Sequence, residues 1–273
     1  MQTVHPNYPK LKNKASILYK ALTPELYAKL VDKKGKSGYT FDQAIQCGCD
    51  GSGSNTGFAV PDVESYLLWK ELVDKIMEIR HRKADGTGFR PGVDKHRRDL
   101  DASKIKPRLD AVALAKYVRS TRVRCARNLG AFPNPCAMNR AERREVAGLV
   151  ELATQKLKGD LAGKYFDLGN LTAEETTQLR KDRMLFQQPG LKAMITSSGG
   201  IRDWPDGRGV FHSEDKKFII WINEEDQMRL ISMQMGGDII EVFDRFTRGV
   251  TSIEAVFKSE GRALYFCMHI ISP

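Results

Sequence analysis

The chain has 273 residues, 41% of them hydrophobic and 29% charged, a composition that supports a sizeable core and excludes a disordered chain. No apolar run has the length of a membrane span, and the stretch Met1 to Ser16 lacks the hydrophobic region of a secretory signal, so a cytoplasmic protein with no membrane partner is expected. The net charge of +10 favours anionic partners.

Thr23, Pro24 and Glu25 supply an N-cap, an N1 proline and a first-turn acid for a first clear helix. Thr40 and Gln43 form a capping box for a second, beginning at Phe41. The stretch CGCDGSGSNTGF, Cys47 to Phe58, reads as a Gly/Ser-rich loop. It is not a phosphate loop, since it does not run from a strand into a helix and no Gly-Lys-Ser/Thr follows. Cys47 and Cys49 lack the second pair or spaced histidines of a zinc site, and five cysteines form no disulfide framework, so the thiols read as reduced. Asp62 is placed to cap one further helix, on which Leu68, Leu72, Ile76 and Ile79 recur at helical spacing. Arg80 to Leu100, continued by Asp101 to Asp110, is polar, basic and Gly/Pro-bearing, and reads as a linker.

The pattern changes at YVRSTRVRCARNL, Tyr117 to Leu129, a strand-like stretch carrying Arg119, Arg122, Arg124 and Arg127. Strand alternation puts Ser120, Arg122 and Arg124 on one face and Thr121, Val123 and Cys125 on the other. A face with two guanidinium forks lies against water or against something strongly negative. Asn139 with Glu142, and Thr172 with Glu175, cap two more helices. KFIIWI, Lys217 to Ile222, suits a strand buried on both faces, and RLISMQ, Arg229 to Gln234, its antiparallel neighbour. Asp238 caps a long helix whose Ile239, Val242, Phe243, Phe246, Val250, Ile253 and Phe257 trace one face. The expected class is α+β: a small all-helical N-terminal domain over residues 1–105, then a partial antiparallel sheet flanked by helices over 106–273.

Glu224, Glu225 and Asp226 crowd three carboxylates between those two strands, with Arg229 close behind. One reading is a carboxylate kept ionised beside a cation, suited to a general base or to clamping a cationic substrate. The other is a surface ion pair at a turn, worth little. Together with Arg122 and Arg124, these residues make a kit for phosphoryl transfer without a P-loop. That chemistry needs mostly charge stabilisation and placement, and placement alone can lower a barrier by about 7–11 kcal/mol.

The runs STRVRCARNL, GDLAGKYF, RDWPDGRGVFH, WINEEDQMRLISMQMGGD and FTRGVTSIEAVFKS occur in order between about Ala21 and Lys258. They resemble the phosphagen (guanidino) kinase family, which includes arginine and creatine kinases. The resemblance implies reversible transfer between MgATP and a guanidino compound, with Mg2+ carried by the nucleotide rather than by a protein site. It places Ser120, Thr121, Arg122, Val123, Arg124 and Arg229 along the nucleotide phosphates. Glu225 takes the position of the carboxylate that holds the substrate guanidinium and takes its proton. Trp221 matches a tryptophan beside the active site. Asn55, Thr56, Gly57, Phe58 and Ala59 match the loop whose closure sets guanidine specificity. Arg80, the short loop before Asp62 and the AERR run point to different branches of the family, so the acceptor stays open among creatine, glycocyamine, arginine, taurocyamine and lombricine.

The sequence also departs from the family pattern. Arg183 stands in place of a histidine near the nucleotide, and either adds a phosphate contact or disrupts the site. Gln227 replaces a histidine after the acidic cluster, and His212-Ser213-Glu214 replaces His-Asn-Asp. After Ser259 the likeness stops short of further family motifs, and Cys267 lacks the neighbours of the family's reactive cysteine. The expectation is an incomplete catalytic domain with impaired turnover. The alternatives are a non-catalytic nucleotide-binding protein, a protein-arginine kinase, against which the helical N-terminal domain argues, and a basic nucleic-acid-binding protein, against which the lack of aromatic interleaving and of a known module argues. The expected partners are MgATP and a guanidino small molecule, with no nucleic acid. Trp204 reads either as a dimer contact of the creatine-kinase kind or as a core tryptophan, which leaves monomer and homodimer open.

Overall fold

The computed structural model describes residues 5–50, 57–81, 99–104, 116–188, 190 and 194–265. Local capping chemistry starts the N-terminal helices. Ser16 Oγ accepts the Tyr19 N–H ahead of α1 (Ile17–Ala21), and Thr23 Oγ1 accepts the Leu26 N–H ahead of α2 (Pro24–Leu30). The Thr40/Gln43 box closes with reciprocal bonds of 3.2 and 2.8 Å ahead of α3 (Phe41–Asp50). That helix runs further than the sequence indicates: Cys47 to Asp50 is its last turn, not loop. Gly48 is there for contact, since a Cβ on it would lie 2.2 Å from the Gly57 carbonyl oxygen.

The helix expected after Asp62 is divided into α4 (Ser65–Leu68) and α5 (Lys70–Arg80), with Trp69 at the break. Asp62 Oδ1 accepts both the N–H and the hydroxyl of Ser65, at 2.8 and 2.7 Å. The fully buried Trp69 ring packs on Phe41 and Phe58, with centroids 5.6 and 6.3 Å away. These rings, with Leu18, Tyr27, Leu72 and Ile76, form a core of their own. The expected linker falls mostly outside the described residues; its described part holds a short 3-10 turn, Ala102–Lys104.

The second unit is an antiparallel sheet of six described strands: β1 (Ser120–Leu129), β2 (Gly163–Asp167), β3 (Gly209–Ser213), β4 (Phe218–Ile222), β5 (Met228–Met235) and β6 (Leu264–Tyr265). Their order is β2-β3-β4-β5-β1-β6. The apolar run forms the buried interior strand β4, as its composition indicates. The helices between and after the strands are α6 (Arg140–Thr154), α7 (Ala173–Lys181), the short α8 (Met194–Ser197) and α9 (Ile239–Ser259). The Asn139/Glu142 and Thr172/Glu175 capping boxes both form.

On one face, Phe211, Phe218, Ile220 and Leu230 pack beneath α6 and α9. Gly249 lets α9 approach closely, since a Cβ there would meet the Phe218 ring at 2.3 Å. Ile239, the first residue of α9, is exposed at the sheet's end, so the apolar stripe begins at Val242. On the opposite face a smaller core joins Val210, Ile219 and Ile231 to Leu179 and Phe186. Several arginines serve the scaffold. Arg127 Nε donates to Glu254 Oε1 at 2.6 Å, Arg143 to Asp203 at 3.2 Å, and Arg208 to the Gly200 carbonyl at 2.6 Å. Arg245 donates to Gln234 Oε1 at 2.6 Å.

Candidate active site

Register brings the functional face together. In the β1–β5 ladder Arg122 lies opposite Met233 and Arg124 opposite Ile231. In the β4–β5 ladder Trp221 lies opposite Arg229. Directly opposed residues share a face, so Ser120, Arg122, Arg124, Arg229 and Trp221 all project from the side away from α9. The Arg122 guanidinium sits 5.3 Å from the centre of the Trp221 ring and that of Arg229 6.0 Å. The indole is held by its Nε1–H, which donates to the Met184 carbonyl at 2.7 Å.

Ser120, Arg122 and Arg124 are exposed, and among the described residues neither Arg122 nor Arg124 has a carboxylate partner. Burial, then Arg124 and Arg229 as like charges, hold the Arg122 guanidinium below its ordinary range, with Glu224 partly offsetting them. Three guanidinia, two from β1 and one from β5, thus stand on one sheet face, and those from β1 have no carboxylate partner among the described residues. Thr121 and Val123 lie on the other face. Thr121 Oγ1 donates to the Gly236 carbonyl at 2.8 Å and Val123 packs on the larger core, so they bring main chain, not side chain, to the cations. Arg183 follows α7 at φ 59°, where its N–H bonds the Arg180 carbonyl and the Met184 N–H the Leu179 carbonyl. This is a Schellman ending with arginine in the position that favours glycine. The side chain is exposed, one residue from the carbonyl that fixes Trp221.

The hairpin turn between β4 and β5 is not a surface ion pair. The Arg229 side chain is 10% exposed, and its guanidinium meets Glu224 at 2.8 Å, Glu225 at 2.5 Å and Asp226 at 3.4 Å. Burial opposes its charge, but the three carboxylates outweigh that and hold it above its ordinary range. Burial likewise pushes the Glu224 carboxyl up, to about 7, against the pull of Arg229. Asn223 anchors the turn from below, donating through Nδ2 to the Arg143 and Gly207 carbonyls at 2.9 and 2.8 Å.

A cavity of about 30 Å³, room for roughly one water, lies between Ala59, Val60, Asn134, Cys136, Glu224 and Glu225. The loop after α3 therefore ends against the acidic hairpin. Asn55 and Thr56 lie outside the described residues. Gly57 packs on Gly48, and Phe58 is buried in the helical core, so both anchor the loop. Ala59 is the member of this group that reaches the carboxylates, and its N–H donates to the Ala44 carbonyl at 2.7 Å. Sequence reasoning passed over Asn134, which grips this loop, although the Pro-Asn-Pro run around it marks a fixed turn. Cys47 and Cys49 sit on α3, where burial pushes their thiols up to about 12 and about 11, so both stay protonated near neutrality. Among the described residues no group of three His, Cys, Asp or Glu could hold a metal ion, and no helix is long and apolar enough to cross a membrane.

Two family models match the chain: the ATP:guanido phosphotransferase N-terminal domain over residues 12–78, and the C-terminal catalytic domain of the same name over residues 145–261. Among solved structures, a lombricine kinase superposes with a TM-score of 0.86 at 39% identity, covering 97% of this chain and 70% of that one. The substrate-free duplicated taurocyamine kinase from Schistosoma mansoni superposes with a TM-score of 0.80 at 25% identity, covering 94% of this chain and 35% of that one. The same enzyme with bound transition-state-analogue components gives 0.77 at 27% identity, covering 93% and 34%. With both domain models matched in order and a solved relative 39% identical over 97% of this chain's length, the chain belongs to the phosphagen (ATP:guanidino) kinase family.

Proposed function

We propose that the chain transfers the γ-phosphoryl group of MgATP reversibly to a guanidino compound, yielding ADP and a phosphagen and so buffering ATP in the cytoplasm. Residues 1–105 supply the acceptor side and residues 106–273 the nucleotide side. Arg122, Arg124 and Arg229 grip the polyphosphate, with Arg183 at its edge and the main chain of Ser120, Thr121 and Val123 alongside. Mg2+ arrives with the nucleotide and offsets phosphate charge. Glu225 holds the acceptor guanidinium and takes the proton released as its nitrogen attacks phosphorus. The loop through Asn55, Thr56, Gly57, Phe58 and Ala59 closes the acceptor side.

The observation that carries this reading is that Glu225 Oε2 already accepts a guanidinium N–H, from Arg229, at 2.5 Å, on the face where Arg122 and Arg124 stand without counter-charges. A carboxylate and three cations so placed do what the reaction requires: they hold two reactants in line and neutralise charge.

The test is phosphagen formation from MgATP with lombricine, taurocyamine, creatine, glycocyamine and arginine. Lombricine comes first, because it names the solved relative at 39% identity. Turnover is expected with at least one acceptor, and Glu225→Gln is expected to lower kcat by on the order of 10²-fold or more. An unchanged rate in that variant would overturn the role of Glu225. ATP binding without turnover on any acceptor would favour the non-catalytic nucleotide-binding reading. The nucleic-acid reading rests on net charge alone, and oligonucleotide binding tighter than ATP binding would favour it.

A further inference from the structure

Two buried amides lie between the acidic hairpin and the loop that faces it. Gln227 closes the hairpin turn and is fully buried. Its N–H donates to Asn128 Oδ1 at 2.8 Å, and its carbonyl accepts the Asn223 N–H at 3.1 Å. Its Oε1 accepts the Leu129 N–H at 2.7 Å, and its Nε2 donates to the Pro133 carbonyl at 2.9 Å. The next residue, Asn134, is 1% exposed and points the other way. Its N–H donates to the Pro61 carbonyl and its Nδ2 to the Val60 carbonyl, both at 2.7 Å. Val60 and Ala59 line the cavity together with Glu224 and Glu225.

We propose that Gln227 and Asn134 form a strut that sets how far the acceptor loop stands from Glu225, and that Asn134 is thereby a specificity-determining positioning residue. The inference rests on the guanidino-transfer reading above. Neither side chain points to a reacting atom, so neither is catalytic. Their effect runs through geometry: the Asn134 amide groups hold the Val60 and Pro61 carbonyls, with the Cys136 thiol as a second, weaker donor to Val60 at 3.6 Å. Shifting the loop would weaken these bonds at a buried seam, so the strut has one favoured length. The nucleotide cations lie on the strand face and receive no bond from either amide. The bonds of Asn134 run to Val60 and Pro61, so substituting it acts on the acceptor side.

The experiment uses the full chain and the variants Asn134→Ala and Asn134→Asp, the second keeping the shape while removing the Nδ2 donor. With the acceptor that turns over best, both variants are expected to raise the acceptor KM on the order of ten- to a hundredfold and to change the ratio of kcat/KM between acceptors. The KM for ATP should stay within about twofold, since no contact on the nucleotide face is removed. A parallel rise in both KM values, or a fall in kcat alone, overturns the proposal. Should the unaltered chain turn over no acceptor, the reading under test is the functional one, and the strut is judged by hydrogen exchange. The Ala59 amide is then expected to exchange at least about tenfold faster in Asn134→Ala, with the amides of α9 unchanged. Equal protection of Ala59 in both proteins would sink the strut.

Discussion

Replacing Glu224 by glutamine tests the buried hairpin thermodynamically. The Glu224 side chain is 16% exposed. Burial raises its carboxyl from an ordinary 4.5 to about 7; Arg229 at 2.8 Å lowers it in part, and Glu225 and Asp226 raise it as like charges. The shift of two and a half units corresponds to about 3 kcal/mol, at 1.36 kcal/mol per unit. Because the folded-state value lies above the unfolded one, the folded chain binds more protons between them, and stability falls as pH rises. The contribution is complete below about pH 4.5 and lost as pH passes about 7. Glutamine has the same shape and does not titrate. Urea unfolding of both proteins from pH 4.5 to 8.5, at matched m-values, should therefore show the unaltered chain losing about 3 kcal/mol relative to Glu224→Gln. A difference that stays flat within about 0.5 kcal/mol across that range would mean that the carboxyl is solvated and the hairpin is not packed as described.

Arg122→Ala and Arg124→Ala should each weaken ATP binding by about 1.5–3 kcal/mol, the worth of a charged hydrogen bond, measured by titration calorimetry. Stability should change by no more than about 1 kcal/mol in either, since the like charges around Arg122 offset its contact with the Trp221 ring; unchanged ATP affinity in both would remove the phosphate site from this face. Arg183→Gly relieves a left-handed position costing about 1–2 kcal/mol for a side-chain-bearing residue, offset in part by unfolded-chain entropy. Stability should therefore hold or rise by up to about 1 kcal/mol while ATP affinity falls, and a clear loss of stability in thermal unfolding would contradict the Schellman ending.

What the sequence made legible was local or strictly periodic. The Thr40, Asn139 and Thr172 boxes involve partners three residues apart, and each forms. Period-two alternation sorted Arg122 and Arg124 from Thr121 and Val123 correctly, and the run from Phe218 to Ile222 announced its own burial. The strands β2 and β3 escaped because each opens on a glycine that looks like loop material. A Cβ on Gly163 would meet the His212 carbonyl oxygen at 2.0 Å, and one on Gly209 the Tyr165 hydroxyl at 2.3 Å. Those glycines answer a neighbour across the sheet, which no window of sequence contains. Gly48 misled in the same way, and Trp69 broke a helix that its periodicity left whole. At the site, type and spacing pointed to the arginines and to the carboxylate cluster of Glu224, Glu225 and Asp226, and the family resemblance alone singled out Glu225. The amides gave no such signal: Gln227 bonds a residue 98 positions away and Asn134 one 74 positions away.

The separation of the two reactants is set by very little chain. Glu225 and Arg229 are four residues apart across one turn, so the carboxylate proposed for the acceptor and one cation proposed for phosphate move as a single piece. The piece is fixed from two sides by amides, Asn223 to the α6 and Gly207 carbonyls and Gln227 to the end of β1. Arg122 and Arg124 enter from the neighbouring strand through a ladder whose register leaves no freedom to slide. A reaction that depends on placement to within fractions of an ångström is served better by such a hairpin than by residues on separate loops. The same logic divides the chain's arginines. Arg127, Arg143 and Arg245 have carboxylates or carbonyls of their own and hold the scaffold, whereas Arg122 and Arg124 lack carboxylate partners among the described residues and, in the proposed reaction, gain theirs from phosphate.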